Sequence, residues 1–479
     1  MATRTSFFWH DYETSGTDPA RDRPLQFAGL RTDAELRVIG EPVSIFCRPP
    51  HDSLPHPVAC LITGITPQAA ERDGMSEADF AAAVHEALAE PGTCGVGYNS
   101  LRFDDVMTRN LLYRNFYDPY AREWQNGNSR WDLIDLARMC HALRPDGIEW
   151  PRREDDLPSF KLEDLASANH LEQRRAHDAL SDVEATLALA RLLQSRQPRL
   201  WDWYLRLRDK QFAASLFDIP GMTPLLHVSS RYPARRGCLA LIAPIAAHPT
   251  NRNEIIVYDL ASDPTELLAI DAEAVAERIF TPRADLPEDV ERIPLRTVRC
   301  NYSPALAPMS VLKGVDTARI GLDVDAGLRH AARLRATLGL AEKVRRVFSL
   351  GGERAPAADV ELALYDGFLP NADRPLLDAV RGAPPAELAT RHFAFRDPRY
   401  AELLFRYRAR NWPHTLDATE AERWLAFRRD RLTRNTPLTT LTLDAYFAEI
   451  TRLRSEHHGS DLALLDQLES WGRELSAEI

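Results

Sequence analysis

Residues 7–13 run Phe7-Phe8-Trp9-His10-Asp11-Tyr12-Glu13, and no other segment restricts the possible folds as much. Three consecutive aromatics read as the start of a core strand. Side chains alternate along a strand, so Asp11 and Glu13 share one face. Burying two adjacent carboxylates costs on the order of several kcal/mol each unless a cation compensates. The segment is therefore either an edge strand with a solvated acidic face or one wall of a cation site. The aromatics ahead of it favour a core strand.

Two later acidic positions have ordinary readings when taken singly. Gly97-Tyr98-Asn99-Ser100-Leu101-Arg102-Phe103-Asp104 leads from an apolar strand through a turn to Asp104 at the head of a helix, where Asp is a common N-cap. His177-Asp178-Ala179-Leu180-Ser181-Asp182 opens an amphipathic helix, in which Asp178 suits a cap and His177 a surface position. The order and context of all three segments together are less easily dismissed.

A chain of 479 residues exceeds one compact core, and two or three domains are expected. Residues 1–196 read as α/β. Strands are expected at Phe7–Glu13, Leu25–Thr32, Pro42–Arg48 and Gly95–Asn99, and helices from Thr66-Pro67, Ser76, Asp104 and Asp178. Residues 197–350 read as a small β domain, with strands at Cys238–Ala247, Glu254–Leu260, Glu266–Ile270 and Leu295–Asn301, turning helical from about Asp316. Around Gly351–Asp359 the composition is that of a linker. Residues 355–479 read as helical, with a capping box at Thr419-Glu420-Ala421-Glu422 ahead of Trp424 and Phe427.

No apolar run approaches the roughly 20 residues of a membrane span. The six scattered cysteines offer neither a zinc site nor a disulfide framework, which suits a reducing, cytoplasmic setting. The net charge of −11 decides nothing about nucleic acid, because a DNA channel needs only a local basic surface.

The set of DxE on a first strand, NxxFD at a strand-to-helix junction and HDALxD on a late helix resembles the DEDDh 3′–5′ exonucleases. That resemblance implies a ribonuclease-H-like fold, with Asp11, Glu13, Asp104 and Asp182 as metal ligands and His177 as the fifth catalytic residue. Phosphodiester hydrolysis needs an activated water and a sink for charge on the leaving oxygen, and two divalent ions supply both. Carboxylates suit hard ions such as Mg²⁺, with Mn²⁺ as a substitute. In this scheme Asp11 bridges, Glu13 and Asp182 complete the nucleophile-side ion, and Asp104 supports the other. His177, with an unperturbed pKa near about 6.5, takes the proton from the attacking water.

The resemblance extends to bacterial exonuclease I across nearly the whole chain. It is carried by Phe8–Thr14, Asp22-Arg23-Pro24, Leu61–Pro67, Arg102–Asp105, Tyr113–Tyr120, Asn128–Leu133, Leu157–Phe160, His248–Asn253 and Tyr407–Asn411. It implies an exonuclease domain, an SH3-like β domain and a helical C-terminal domain that together encircle single-stranded DNA, degraded 3′ to 5′ into 5′-mononucleotides in repair and recombination. Glu13, Thr14, Leu61, Thr63, Arg130, Lys161, Arg408 and Arg410 are the implied DNA contacts. Phe405–Trp412 also interleaves arginine with aromatics, as a backbone-and-base surface would, the alternative being a core helix with a solvated basic edge.

The family binds the acidic C-terminal tail of single-stranded-DNA-binding protein. Arg144, Lys313, Leu328 and Arg335 match that pocket, while Pro308 replaces a polar neighbour. A monomer with no membrane contact is expected. The rival readings are a DEDDh enzyme acting on RNA ends or in proofreading, usually a one-domain chain, and an inactive DNA-binding scaffold.

Overall fold

A computed structural model describes residues 5–171, 178–288, 290–352 and 355–479. The chain divides into two compact units. The first comprises Met1–Ser129, Gln173–Glu184 and Ala355–Ile479, and the second Arg130–Glu172 and Ala185–Arg354.

In the first unit, strands β1 (Ser6–Thr14), β2 (Pro24–Thr32), β3 (Val43–Phe46) and β4 (Thr93–Gly97) lie in the order β3-β2-β1-β4. β1 runs antiparallel to β2 and parallel to β4. Alternation along β1 decides what each face does. Phe8 and Tyr12 pack with Phe27 against Phe80, Val84, Leu88, Met107 and Leu111 of the helices Glu77–Ala89 and Asp104–Arg114. Burying each such side chain contributes about 1.5–3 kcal/mol. Trp9, Asp11 and Glu13 take the opposite face, where the Trp9 indole N–H donates to Thr32 Oγ1 at 3.0 Å.

The C-terminal part of this unit is helical. Tyr446, Ile450, Leu465, Leu468 and Trp471 form a core that also takes in Leu54 and Cys60. A second core joins Tyr113 and Phe116 to Leu377, Phe393, Tyr400 and Tyr407. Beside these cores lies a buried ion network. Arg23 bonds Glu361 Oε2 at 2.7 Å, Arg406 bonds Glu361 Oε1 at 3.0 Å, and Arg410 spans Glu361 and Asp52.

The second unit contains β5 (Ser129–Asp132) from Arg130 onward, and the strands β6 (Leu225–Val228), β7 (Leu239–Ala247), β8 (Glu254–Asp259), β9 (Leu295–Arg299) and β10 (Ala305–Pro308). These last five make an antiparallel sheet in the order β10-β6-β7-β8-β9. Helices Val324–Ala336 and Leu340–Leu350 follow.

Two elements differ from the sequence expectation. Glu266–Ile270, expected as a strand, lies mostly in a helix, Thr265–Ala269; the Asp263 side chain accepts the Thr265 amide at 2.8 Å and starts the turn ahead of it. The capping box belongs to Asp417 with Glu420, and the helix Ala418–Thr433 starts before Thr419. Among the described residues no helix is long and apolar enough to cross a membrane.

Candidate active site

β4 pairs with β1 only from Ser6 to Trp9. The half of β1 that carries Asp11 and Glu13 therefore continues past the end of its parallel neighbour, where open α/β sheets place ligands. β4 stops at Gly97, and a side chain there would meet Ser100 Cβ at 2.6 Å and His10 O at 2.9 Å. The chain then turns through Asn99 at φ 64° and a short 3₁₀ turn, Ser100–Arg102, into the helix Asp104–Arg114. Phe103, not Asp104, occupies the cap, so the carboxylate is not committed to the capping position. Asp104 is buried, and its carbonyl accepts the Thr108 hydroxyl, which in turn is 3.0 Å from the Tyr12 hydroxyl.

Asp182 arrives on the first turn of the helix Ala179–Arg196. That turn is set by Asp178, which accepts the Ser181 amide at 3.2 Å. It is also tied to β2, because Gln26 Oε1 accepts the Ala179 amide at 3.5 Å. Gln26 sits opposite Glu13 in the strand register.

These elements bring Asp11, Glu13 and Asp182 together, with one ligand oxygen from each within 4.8 Å of the others. Burial raises the Asp11 carboxyl well above its ordinary range, and the neighbouring charges of Asp104 and Asp182 raise it further. Burial and the charges of Asp11, Asp182 and Asp178 push Glu13 up to about 9. Among the described residues, the side-chain charges that shift these two groups are acidic. A half-buried set of converging carboxylates fits a divalent cation, which offsets their mutual repulsion. His177 lies outside the described residues.

The remaining expected positions fall into four groups. Thr14 is buried at the end of β1, while Leu61 and Thr63 are half-buried at the end of the helix Pro57–Thr63, beside Ile62, which is 52% exposed. Lys161 is exposed beside Glu163, and Arg130 stacks on the Tyr302 ring with Nη2 donating to Asn301 O. Arg408 and Arg410 depart from expectation. Arg408 is buried and bonds Glu420 and Thr415 O, and Arg410 is buried between Asp52 and Glu361. The basic row of Phe405–Trp412 is a structural ion network and not an open DNA surface. In the second unit Lys313 and Leu328 are exposed. Arg335 Nε donates to Gly221 O, and Arg144 Nη2 donates to Val311 O and Lys313 O.

Sequence reasoning missed Gln26 and Asp178 as parts of the site. A polar Gln inside the apolar run Pro24–Leu30 was the available signal for the first.

The chain matches an exonuclease family model over residues 8–190, an exonuclease I SH3-like domain over 208–350 and an exonuclease I C-terminal domain over 358–475. It is 47% identical to exodeoxyribonuclease I of Escherichia coli (strain K12) over 430 residues, 90% of each chain. The chain belongs to the exonuclease I family. A solved exonuclease I from Methylocaldum szegediense superposes with a TM-score of 0.94 at 49% identity, covering 98% of this chain and 99% of that one. The zinc-bound Escherichia coli exonuclease I–single-stranded DNA complex gives 0.92 at 45% identity, covering 99% and 100%. As a family member the protein is a metal-dependent exodeoxyribonuclease, with a ribonuclease-H-like catalytic domain followed by the SH3-like and C-terminal domains.

Proposed function

We propose that this exodeoxyribonuclease holds two Mg²⁺ ions on Asp11, Glu13, Asp104 and Asp182, with Mn²⁺ able to substitute, and removes 5′-mononucleotides one at a time from the 3′ end of single-stranded DNA. The observation that carries the reading is the convergence of the Asp11, Glu13 and Asp182 carboxylates. When bound, the ions supply Lewis acidity and charge neutralisation at the scissile phosphate.

The chain's own residues do the rest. β1 and the helices at Asp104 and Ala179 hold four carboxylates on rigid elements, so little reorganisation accompanies reaction. His177 accepts the proton from the attacking water. Thr14, Leu61 and Thr63 line the approach to the carboxylates and contact the terminal nucleotide, and Lys161 and Arg130 receive backbone phosphates.

Lys313, Arg335, Arg144 and Leu328 form the receptor for the acidic C-terminal tail of single-stranded-DNA-binding protein. The enzyme acts as a monomer in the cytoplasm, in DNA repair and recombination.

The test compares 3′-labelled and 5′-labelled single strands, duplex and circular single-stranded DNA, with and without Mg²⁺. Progressive loss from 3′ ends, stalling at duplex and an intact circle are expected. Internal cleavage of the circle would overturn the reading.

A further inference from the structure

The stretch from Ser15 to Arg23 leaves β1 directly after Thr14, one residue beyond Glu13, and returns to β2. Its interior is self-knit. Asp18 Oδ1 accepts the amides of Ala20 and Arg21, Asp22 Oδ2 accepts the Asp18 amide at 2.7 Å, and Ser15 exchanges bonds with the backbone of Arg23. A Cβ on Gly16 would meet Asp22 Oδ2 at 2.4 Å, so the loop closes tightly on itself.

What holds this loop in place comes from more than 400 residues away. Arg21 Nε donates to Pro437 O at 2.7 Å across 416 positions. Arg431 Nη2 donates to Arg21 O at 3.4 Å while Nη1 pairs with buried Asp52. The Thr440 side chain lies beside the Asp22 carboxylate and opposes the rise that burial gives it. The anchoring turn is itself fixed, because Thr439 Oγ1 donates to Arg431 O and Arg434 O, both at 2.9 Å. The helix Pro57–Thr63 rests on the C-terminal domain as well. The His56 amide donates to Ser15 O at 2.7 Å, and Cys60 and Leu61 pack into the core of Tyr446, Leu468 and Trp471.

We infer that the 431–440 segment of the C-terminal domain is a positioning device for the active site. In it, Arg431 and Thr440, acting on Arg21 and Asp22, fix the loop that follows Glu13. The inference rests on the exonuclease reading of the carboxylate site. None of these four residues touches the reacting atoms. They hold Thr14 and Glu13 in register with the carboxylates of Asp11 and Asp182. Misplacement of a reactive group by about 1 Å can cost about 100-fold in rate, so a loosened loop should be read in turnover.

The test uses the full chain with Arg21→Ala/Thr440→Val, which removes two surface ties while Asp22 keeps the Asp18 amide, and Arg431→Lys, which keeps the Asp52 ion pair but gives up the guanidinium fork. Turnover and KM are measured on a 3′-labelled single strand. Amide hydrogen exchange is followed over residues 14–23 and 443–475 in metal-free protein. For the double variant, kcat should fall about tenfold or more with KM unchanged, and exchange over 14–23 should quicken about tenfold with 443–475 unaltered. Arg431→Lys should keep the wild-type melting temperature and lose kcat in the same direction.

Unchanged kcat in both variants overturns the inference. So does a raised KM at constant kcat, or quickened exchange throughout 443–475, which would mark general loosening. An inactive wild type would remove the exonuclease reading instead, while the exchange measurement would still decide the anchoring.

Discussion

Glu13→Gln isolates the electrostatic strain in the metal-free site. The Glu13 carboxyl moves from its ordinary 4.5 to about 9 on folding, through burial and then the charges of Asp11, Asp182 and Asp178. An acid whose folded pKa lies above its unfolded one adds no penalty below 4.5. Between 4.5 and 9 it destabilises the fold by about 1.4 kcal/mol for each pH unit. Over the two and a half pH units up to neutrality the penalty reaches about 3 kcal/mol. Glutamine has a similar shape and no titrating proton, so Glu13→Gln should stabilise the metal-free protein by about that amount at pH 7. Urea unfolding in chelator measures it. Wild type should gain stability as pH falls from 7 to 5, and the variant should be flatter. Added Mg²⁺ should reverse the ranking, because ligand binding stabilises by mass action only the form that can bind. A variant no more stable than wild type in chelator, or stabilised equally by Mg²⁺, would show that Glu13 carries no such penalty.

Asp182→Ala should abolish hydrolysis by removing a ligand, leaving less than about a hundredth of wild-type turnover, while gel-shift binding of a single strand persists. His177→Ala should lose roughly 10²–10⁴ in rate and recover partly at higher pH, where hydroxide attacks directly; a pH–rate profile checks it. At Asp52 and Glu361 burial is outweighed by Arg410 and its neighbouring arginines, which hold both carboxyls far below their ordinary range. Depressed carboxyls contribute stability that is complete above the unfolded pKa of about 4 and is lost as pH falls below it. Near-ultraviolet circular dichroism should therefore show the first unit loosening below about pH 4. Lys313→Ala or Arg335→Ala should weaken a labelled acidic tail peptide in fluorescence anisotropy, with salt doing the same, and leave digestion of naked DNA intact.

The convergence of Asp11, Glu13 and Asp182 was legible because strand and helix periods are local. Two acids at a spacing of two had to share a face of β1, and each later acid followed a recognisable strand-to-helix or helix-start signal. The roles of Arg408 and Arg410 were not legible. Arg410 meets Asp52 across 358 positions, and no local pattern separates an arginine bound for a buried carboxylate from one facing DNA. Short segments failed for a related reason. Glu266–Ile270 has apolar content that suits a strand or a helix equally, and the Asp263 turn ahead of it decided the outcome. The short strands β6 and β10 carry too few residues to show alternation against their surroundings.

The assignment of Asp11, Glu13 and Asp182 as a divalent-cation site that drives terminal hydrolysis predicts that metal binding and turnover rise and fall together. It is tested most directly by titrating Mn²⁺ into metal-free enzyme with a 3′-labelled single strand, reading bound Mn²⁺ by electron paramagnetic resonance and released nucleotide in the same samples. Binding and product release should rise over the same concentration range in wild type, and both should vanish in Asp11→Ala. Nucleotide release from fully metal-free enzyme, or undiminished Mn²⁺ binding by Asp11→Ala, would contradict the account.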